Sequence, residues 1–171
     1  MIVVSKMDKE RADFDKTLSQ LQSAIGNAVV PLALPIGQEA DFSGVVDLIA
    51  AKARTYDGAE GTKGDVPGDM ADAVEASREP LVEHLAEQDD ELIEKYFADG
   101  ELSDEDIKIA LGKGMKSGGV IPVIPINAAT GAGVDLVMDL IAEYGPSPLD
   151  RKGFSILKDE DARRTERGVF R

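Results

Sequence analysis

The chain has 171 residues, a formal net charge of −14 and no cysteine, which excludes a disulfide framework, a thiolate metal site and a cysteine nucleophile. Its 43% hydrophobic and 30% charged residues are typical of a globular protein that is long enough to bury a core. Its basic residues are spread out, and it has neither an apolar run of about 20 residues nor a visible signal peptide. We therefore expect no direct DNA binding, no membrane partner and a cytoplasmic location.

The amino-terminal part of the chain predicts a strand, a helix and then several short strands. The β-branched run at 2–4 predicts a buried strand. Apolar residues from Phe14 to Ile25 follow helix spacing, and this helix ends at Gly26-Asn27. The stretch 29–36 holds two prolines, which suits an edge strand. A turn at 41–44 and further strands at 45–49 and 53–56 follow.

The middle of the chain predicts a loop and three helices. Residues 56–69 are rich in glycine and acidic residues without any period, which predicts an exposed, mobile loop. The next helix is capped by Asp69, and Pro80 must kink it or begin a new one. Asp90 caps a helix through Phe97. The stretch 103–106 resembles a capping box that begins a helix ending at Gly118-Gly119.

The last part predicts a second strand and helix pair. Residues 120–126 form a continuous apolar run, as in a strand buried on both faces. A loop at 127–133 leads into a helix at 134–144, closed by Gly145-Pro146. The tail from 151 is weakly patterned. Two strand–helix pairs thus bracket an insert of mixed strands and helices, so we expect an α/β fold.

Polar residues follow both bracketing strands. An Asp at the carboxyl end of a strand can accept two hydrogen bonds from the edge of guanine, and adenine lacks that donor pair. Lys6 and Asp8 follow the first strand, and Asn127 and Ala128 follow the second, where a backbone amide can reach the guanine oxygen. Ligands bind at this edge of open α/β sheets. A Lys-x-Asp sequence is also common by chance, and Asp8 could simply cap the following helix.

The segments "IVVSKMDKERADFD", "FSGVVDLI", "DMADAVEASREPLVEHLAEQDDELIEKYF", "VIPVIPINAATGAGV" and "PSPLD", in this order, resemble translation elongation factor G. The resemblance implies a partial P-loop-type GTPase domain, with its last two parallel strands and helices, that carries an inserted α+β subdomain. It divides the chain into the carboxyl-terminal half of the GTP-binding domain, the insert, and a linker or start of a following domain. Their bounds are 1–27 with 118–150, 28–117, and 151–171.

The resemblance also implies the residues that bind guanine. They are Ser5, Lys6, Asp8, Asn127, Ala128 and Ala129. Ser5 stands where the family has Asn, and Asn127 stands where it has Ser; we expect Asn127 still to hydrogen-bond Asp8. The two departures suggest a divergent paralogue with weaker guanine binding.

The phosphate half of a GTPase is missing from the sequence. No Gly-x-x-x-x-Gly-Lys-Ser/Thr loop is present, and the Asp-x-x-Gly at 41–44 follows the base box rather than preceding it. GTP or GDP, with Mg²⁺, would therefore be bound fully only in a longer parent protein. We expect this chain alone to bind neither tightly, and we find no catalytic or metal-ligating set in it. The resemblance further implies that the parent acts with the ribosome, and that the insert contacts the ribosomal stalk protein. The acidic helices at 69–97 are the candidate docking face, because opposite charge on a partner would speed the encounter.

Two other interpretations remain open. The chain could be a stand-alone acidic interaction module that binds no nucleotide. Gly131 and Gly133 could belong to a dinucleotide fingerprint, although Leu136 occupies the third glycine position. His84 is predicted to be a surface or half-buried helix residue, and the acidic runs 89–91 and 159–161 are predicted to be solvated helix ends rather than cation sites.

Overall fold

The computed structural model describes residues 1–58, 60–145 and 147, and the strands at 154–157 and 165–168. It is a mixed α/β fold with a three-stranded parallel sheet, a four-stranded antiparallel sheet, a two-stranded antiparallel pair and five α-helices among the described residues. In chain order the elements are β1 (Ile2–Val4), α1 (Phe14–Ile25), β2 (Val29–Pro31), β3 (Ala33–Ile36), β4 (Gly44–Asp47), β5 (Lys52–Asp57), β6 (Glu60–Gly64), α2 (Ala71–Ala86), α3 (Asp90–Asp99), α4 (Asp104–Ser117), β7 (Ile121–Pro125), α5 (Val134–Tyr144), β8 (Phe154–Leu157) and β9 (Thr165–Gly168).

The parallel sheet has the strand order β1-β7-β2. Ile2 pairs with Val123, and Val29 pairs with Ile121. Val123 and Ile124 of the central strand are inaccessible to solvent, which confirms the prediction of a strand buried on both faces. The sheet also contains β2, which lies within the predicted insert 28–117.

The predicted edge strand at 29–36 is wrong as a single element, because the chain changes sheets at Leu32. The Leu32 amide donates to the carbonyl of Val123 at 3.0 Å, while its carbonyl accepts from the Leu48 amide at 3.0 Å. Leu32 is therefore a buried joint between the two sheets. The two prolines, Pro31 and Pro35, do lie in edge strands, where no ladder donor is required of them.

The predicted mobile loop at 56–69 is also wrong in its first half, where β6 forms a hairpin with β5 in the antiparallel sheet β3-β4-β5-β6. Thr55 pairs with Thr62, and Gly58 turns the chain with φ +65°. A Cβ on Gly61 would lie 2.8 Å from the Tyr56 ring, so the glycine leaves room for that ring. Backbone pairing can form this strand without the hydrophobic alternation that marks strands in a sequence.

The helices lie where the sequence predicts them, but some of their N-cap residues differ from the predicted ones. The cap of α1 is Asp13, whose side chain accepts from the Lys16 amide at 2.9 Å, so Asp8 is not the cap. The helix α2 runs unbroken through Pro80, and its N-cap is Met70 rather than Asp69. A new helix at the proline is thereby excluded.

The N-caps of α3 and α4 lie at or within one residue of their predicted positions. Asp89, one residue before the predicted Asp90, caps α3 and accepts from the Glu91 amide at 3.0 Å. The predicted capping box of α4 is confirmed: Ser103 accepts from the Asp106 amide, and the Asp106 side chain accepts from the Ser103 amide. The helix ends at Gly118, in the left-handed conformation with φ +83°.

One hydrophobic core joins both sheets and the helices. Leu81 and Leu85 of α2 and Ile107 and Leu111 of α4 are almost fully buried, as are the two valines of β4 and the central residues Val123 and Ile124 of β7. The four-stranded antiparallel sheet therefore shares a continuous core with the parallel sheet. In the described part of the chain, no helix combines the length and the apolar character required to cross a membrane. Of the predicted tail, β8 and β9 form an antiparallel pair.

Candidate functional site

The structure brings the two predicted base loops side by side at the carboxyl ends of β1 and β7. The Ile126 amide donates to the Val4 carbonyl at 2.8 Å, and the Met7 amide donates to the Ile126 carbonyl at 3.3 Å. The parallel ladder thus continues past both strands into the loops. Met7 is only 2% exposed, so its side chain anchors the first loop in the core. Residues on either side of it are thereby held next to Asn127.

The first loop has an uncommon backbone conformation at Lys6, where φ is +64°. The Lys9 amide donates to the Lys6 carbonyl at 3.1 Å and closes a turn. Residues other than glycine seldom adopt this left-handed conformation, and such positions cluster at binding sites. Ser5 and Lys6 are both exposed, so the turn presents polar groups at the edge of the sheet.

Asp8 lies on this turn and is partly buried, with 24% of its side chain exposed. Its carboxylate forms an ion pair with Lys9 at 2.8 Å. The hydrogen bond from Lys9 holds the pKa of Asp8 below its ordinary value, although partial burial opposes this. The carboxylate is therefore ionised near neutral pH and can accept hydrogen bonds. A base that bound here would have to compete with Lys9 for it.

In the second loop, Asn127 is buried and forms hydrogen bonds with backbone groups of the same loop. Its side-chain oxygen accepts from the Ala129 amide at 3.0 Å, and its own amide donates to the Ala132 carbonyl at 2.9 Å. Within the described ranges no hydrogen bond joins Asn127 to Asp8, contrary to the expectation. Asn127 instead shapes the loop as a tight turn.

Ala128 and Ala129 are exposed at the tip of the second loop. The Ala129 amide is used by Asn127, but no other described residue uses the Ala128 amide. The first loop thus carries an ionised carboxylate and the second an unused backbone donor, which are the two kinds of hydrogen-bonding group that the edge of guanine requires. The residues present therefore fit a guanine base.

The glycines of this loop have a structural explanation. Gly131 and Gly133 have φ values of +85° and +81°, and a Cβ on Gly133 would lie 2.8 Å from the Pro125 carbonyl oxygen. Both positions therefore favour glycine on steric grounds. Their spacing does not require a dinucleotide to explain it.

A buried arginine on β5, which no sequence motif marks, contacts the helix that follows the second loop. Arg54 Nη1 donates to Asp135 at 2.9 Å and to Asp139 at 2.8 Å. Tyr56, on the same strand, donates its hydroxyl to the other oxygen of Asp135. Asp47 lies 3.7 Å from Arg54 Nη2. We call Asp47, Arg54, Tyr56, Asp135 and Asp139 the Arg54 cluster.

The protonation of the Arg54 cluster follows from these bonds. Burial opposes ionisation of Asp135, but the hydrogen bonds from Tyr56 and Arg54 outweigh it and hold its pKa below the ordinary value. Burial also disfavours charge on Arg54, and the two carboxylates reverse this and raise its pKa. Burial, together with Asp135, raises the pKa of Tyr56 well above its usual range. Arg54 and Asp135 are therefore charged, and Tyr56 is neutral, at physiological pH.

The remaining candidates do not form a second site. His84 is partly buried, and its Nε2 lies 3.1 Å from the Gly119 carbonyl oxygen, which makes this nitrogen the donor. Asp89 caps α3 and pairs with Lys113, so its run is a helix end as predicted. The run 159–161 lies outside the described residues. Across the part of the chain that the structure describes, no cluster of three metal-ligating side chains occurs.

Comparison with known proteins supports the fold and leaves the family open. No protein-family model matches the chain. A crystal structure of a protein from Thermus thermophilus superposes with a TM-score of 0.79 at 30% sequence identity. The match covers 88% of this chain and 22% of that protein, so this chain spans less than a quarter of the length of the larger protein.

Proposed function

We propose that this chain is the guanine-recognition part, with its insert, of a ribosome-associated translational GTPase of the elongation factor G type. Its role is to read the base of GTP or GDP through Asp8 and the Ala128 amide, while phosphate and Mg²⁺ are bound by other parts of a longer protein. In that protein the nucleotide would drive translocation in the cytoplasm. This chain has no catalytic residue of its own under this proposal.

The observation that carries the proposal is the continuation of the β1–β7 ladder into both loops. The Ile126 amide and carbonyl, bonded to Val4 and Met7, join the loop that carries the ionised Asp8 to the loop that carries the unused Ala128 amide. Two loops that follow different strands can read one base only if they are fixed to each other, and here the sheet itself fixes them. The resemblance of the sequence to elongation factor G supports the same conclusion.

The direct test is the base preference of Asp8→Asn. A carboxylate accepts from both the ring N–H and the exocyclic amine of guanine, whereas an amide accepts one bond and donates one. Xanthine has a ring N–H and a carbonyl at those positions. We therefore expect Asp8→Asn to lower GDP affinity by about ten- to a hundredfold and to favour xanthosine diphosphate.

Binding can be followed by titration of amide NMR signals, because weak affinity is expected. ADP serves as the control nucleotide, and Asp72→Asn, an exposed carboxylate on α2, serves as the control variant. Equal affinity of the unmodified chain for GDP and ADP would contradict the proposal. So would an Asp8→Asn variant with unchanged preference.

We propose in addition that the acidic helices α2 and α3 dock the ribosomal stalk protein. Acidic residues outnumber basic ones on these helices, and Phe97 on α3 is 78% exposed. An exposed aromatic residue on a charged surface is a common anchor at protein interfaces. Opposite charge on the partner would speed the encounter.

The test of docking is a titration with the carboxyl-terminal domain of the stalk protein at low and high salt. We expect micromolar-class binding that weakens with salt, and a loss of about tenfold for Phe97→Ala. Met138→Ala, which truncates a 59% exposed methionine on α5, is the matched control. Absence of binding at both salt concentrations would refute docking.

The alternative function is a stand-alone acidic interaction module that binds no nucleotide. The exposed Phe97 favours it equally, because docking needs neither Lys6 nor Asp8. Under this alternative, Asp8→Asn leaves partner binding and nucleotide behaviour unchanged. Under the main proposal the same variant changes base preference and leaves partner binding intact.

A further inference from the structure

The second base loop, 127–133, leads directly into α5, and the start of α5 is fastened to the antiparallel sheet. Asp135 is two residues beyond Gly133, and Asp139 lies one turn further along the same face of the helix. Arg54 bridges both carboxylates at 2.9 and 2.8 Å, and Tyr56 donates to Asp135. Both donors come from β5, which contributes no residue to the base site itself.

A second contact joins the same sheet to the loop. A Cβ on Gly133 would lie 3.4 Å from Val45 Cγ1 on β4, so the end of the loop packs against that strand. Val45 is fully buried. The loop therefore rests on the antiparallel sheet at its end and is held there by the side chains of β5.

We infer that Tyr56 and Arg54 are positioning residues for the base loop 127–133, so that the antiparallel sheet sets the geometry with which this loop meets a guanine base. The inference rests on the proposed function as far as the base is concerned. It makes β5 a physical link between the insert and the nucleotide site. Neither residue touches the base.

The few contacts inside the loop 127–133 leave its conformation dependent on how firmly the start of α5 is held. The loop is closed by hydrogen bonds from the amides of Ala129, Gly131 and Val134 to Asn127 Oδ1, the Asn127 carbonyl and the Gly131 carbonyl. These are short turns with little buried surface, because 128–130 are exposed. Local opening of such turns has a low free-energy cost, so an anchor just beyond the loop determines how often they open.

The test is amide hydrogen exchange of the 171-residue chain carrying Tyr56→Phe. This variant keeps the ring that packs over Gly61 and removes only the hydroxyl. We expect exchange at Ala129, Gly131 and Val134 to rise about fivefold, the effect of one lost hydrogen bond. The amides of Val123 and Ile124 in β7 are the internal reference. If Tyr56→Phe only lowered the stability of the whole fold, exchange in β7 would rise by the same factor as exchange in the loop. That result would overturn the inference.

Two further variants complete the design. Tyr96→Phe on α3, a partly buried tyrosine remote from the loop, should leave loop exchange unchanged. Asp135→Asn keeps only one of the two acceptor oxygens used by Tyr56 and Arg54 and removes the charge, so it should raise loop exchange at least as much as Tyr56→Phe does. If neither Tyr56→Phe nor Asp135→Asn raises the exchange rates of the loop amides relative to those of β7, the inference is wrong.

Titration of the same samples with GDP and ADP separates this inference from the proposed function. A Tyr56→Phe chain with faster loop exchange and about fivefold weaker GDP binding supports both. Faster loop exchange in a chain that never prefers GDP over ADP supports the positioning role and refutes guanine recognition. A preference for GDP with unchanged loop exchange and unchanged affinity in Tyr56→Phe refutes the positioning role alone.

Discussion

Replacing Arg54 by methionine is expected to destabilise the fold by about 2–4 kcal/mol, because it removes the buried guanidinium at the centre of the Arg54 cluster. The Arg54 side chain is 9% exposed and donates to Asp135 and Asp139 at 2.9 and 2.8 Å. Hydrogen bonds to charged groups contribute about 1.5–3 kcal/mol each. Methionine fills most of the space of the arginine stem, so the loss is chiefly electrostatic.

The exposure of the partners determines the final magnitude. Asp135 and Asp139 are 45% and 51% exposed, so both regain water when the arginine is removed, which discounts their contribution. Asp47 is 11% exposed and stays desolvated, but it still accepts from the Ile49 and Ala50 amides. The loss of stability is therefore at or below the roughly 3–5 kcal/mol that follows when one partner of a fully buried ion pair is removed.

The assay is urea unfolding followed by circular dichroism, with the thermal midpoint as a second measurement. For a chain of this length the expected loss corresponds to a fall of about 5–15 °C. Lys52→Met on the same strand is the matched control, since its ion pair with Asp65 is exposed, at 56% and 92%, and its loss should have little or no measurable effect on stability. Equal losses in the two variants would refute the reasoning from burial.

Two further predictions concern a helix cap and the acid response of the Arg54 cluster. Ser103→Ala should cost about 1 kcal/mol in urea unfolding, since it removes the capping box of α4, whereas Ser103→Asp should retain most of it; equal losses would rule out capping as the cause. The pKa of Asp135 is lower in the folded chain than its ordinary value, so its stabilising effect is complete above about pH 4 and is lost as pH falls through the folded pKa. The stability difference between the native chain and Asp135→Asn should therefore shrink between about pH 7 and pH 3, and a difference that grows would contradict this.

The placement of the base loops could be predicted from sequence to a useful extent. An apolar run followed by polar residues marks the carboxyl end of a strand, and parallel strands bring these ends to one edge. The backbone of Met7 and Ile126 agrees with that expectation. The ion pair of Asp8 with Lys9 and the use of Asn127 by Ala129 could not be predicted in the same way, because they depend on the conformation of each turn.

The sequence by itself determined the helices, because helix spacing and caps such as Ser103 with Asp106 involve residues only a few positions apart. Only the tertiary structure decided the division of 29–36 between two sheets at Leu32 and the hairpin of β6, because strands are stabilised by partners that are distant in sequence. The Arg54 cluster is the clearest case. Arg54 and Asp135 are separated by 81 residues, and nothing in the pattern around either residue indicates the other. Their contact exists because the buried Leu32 joins the two sheets and the common core brings β5 against α5.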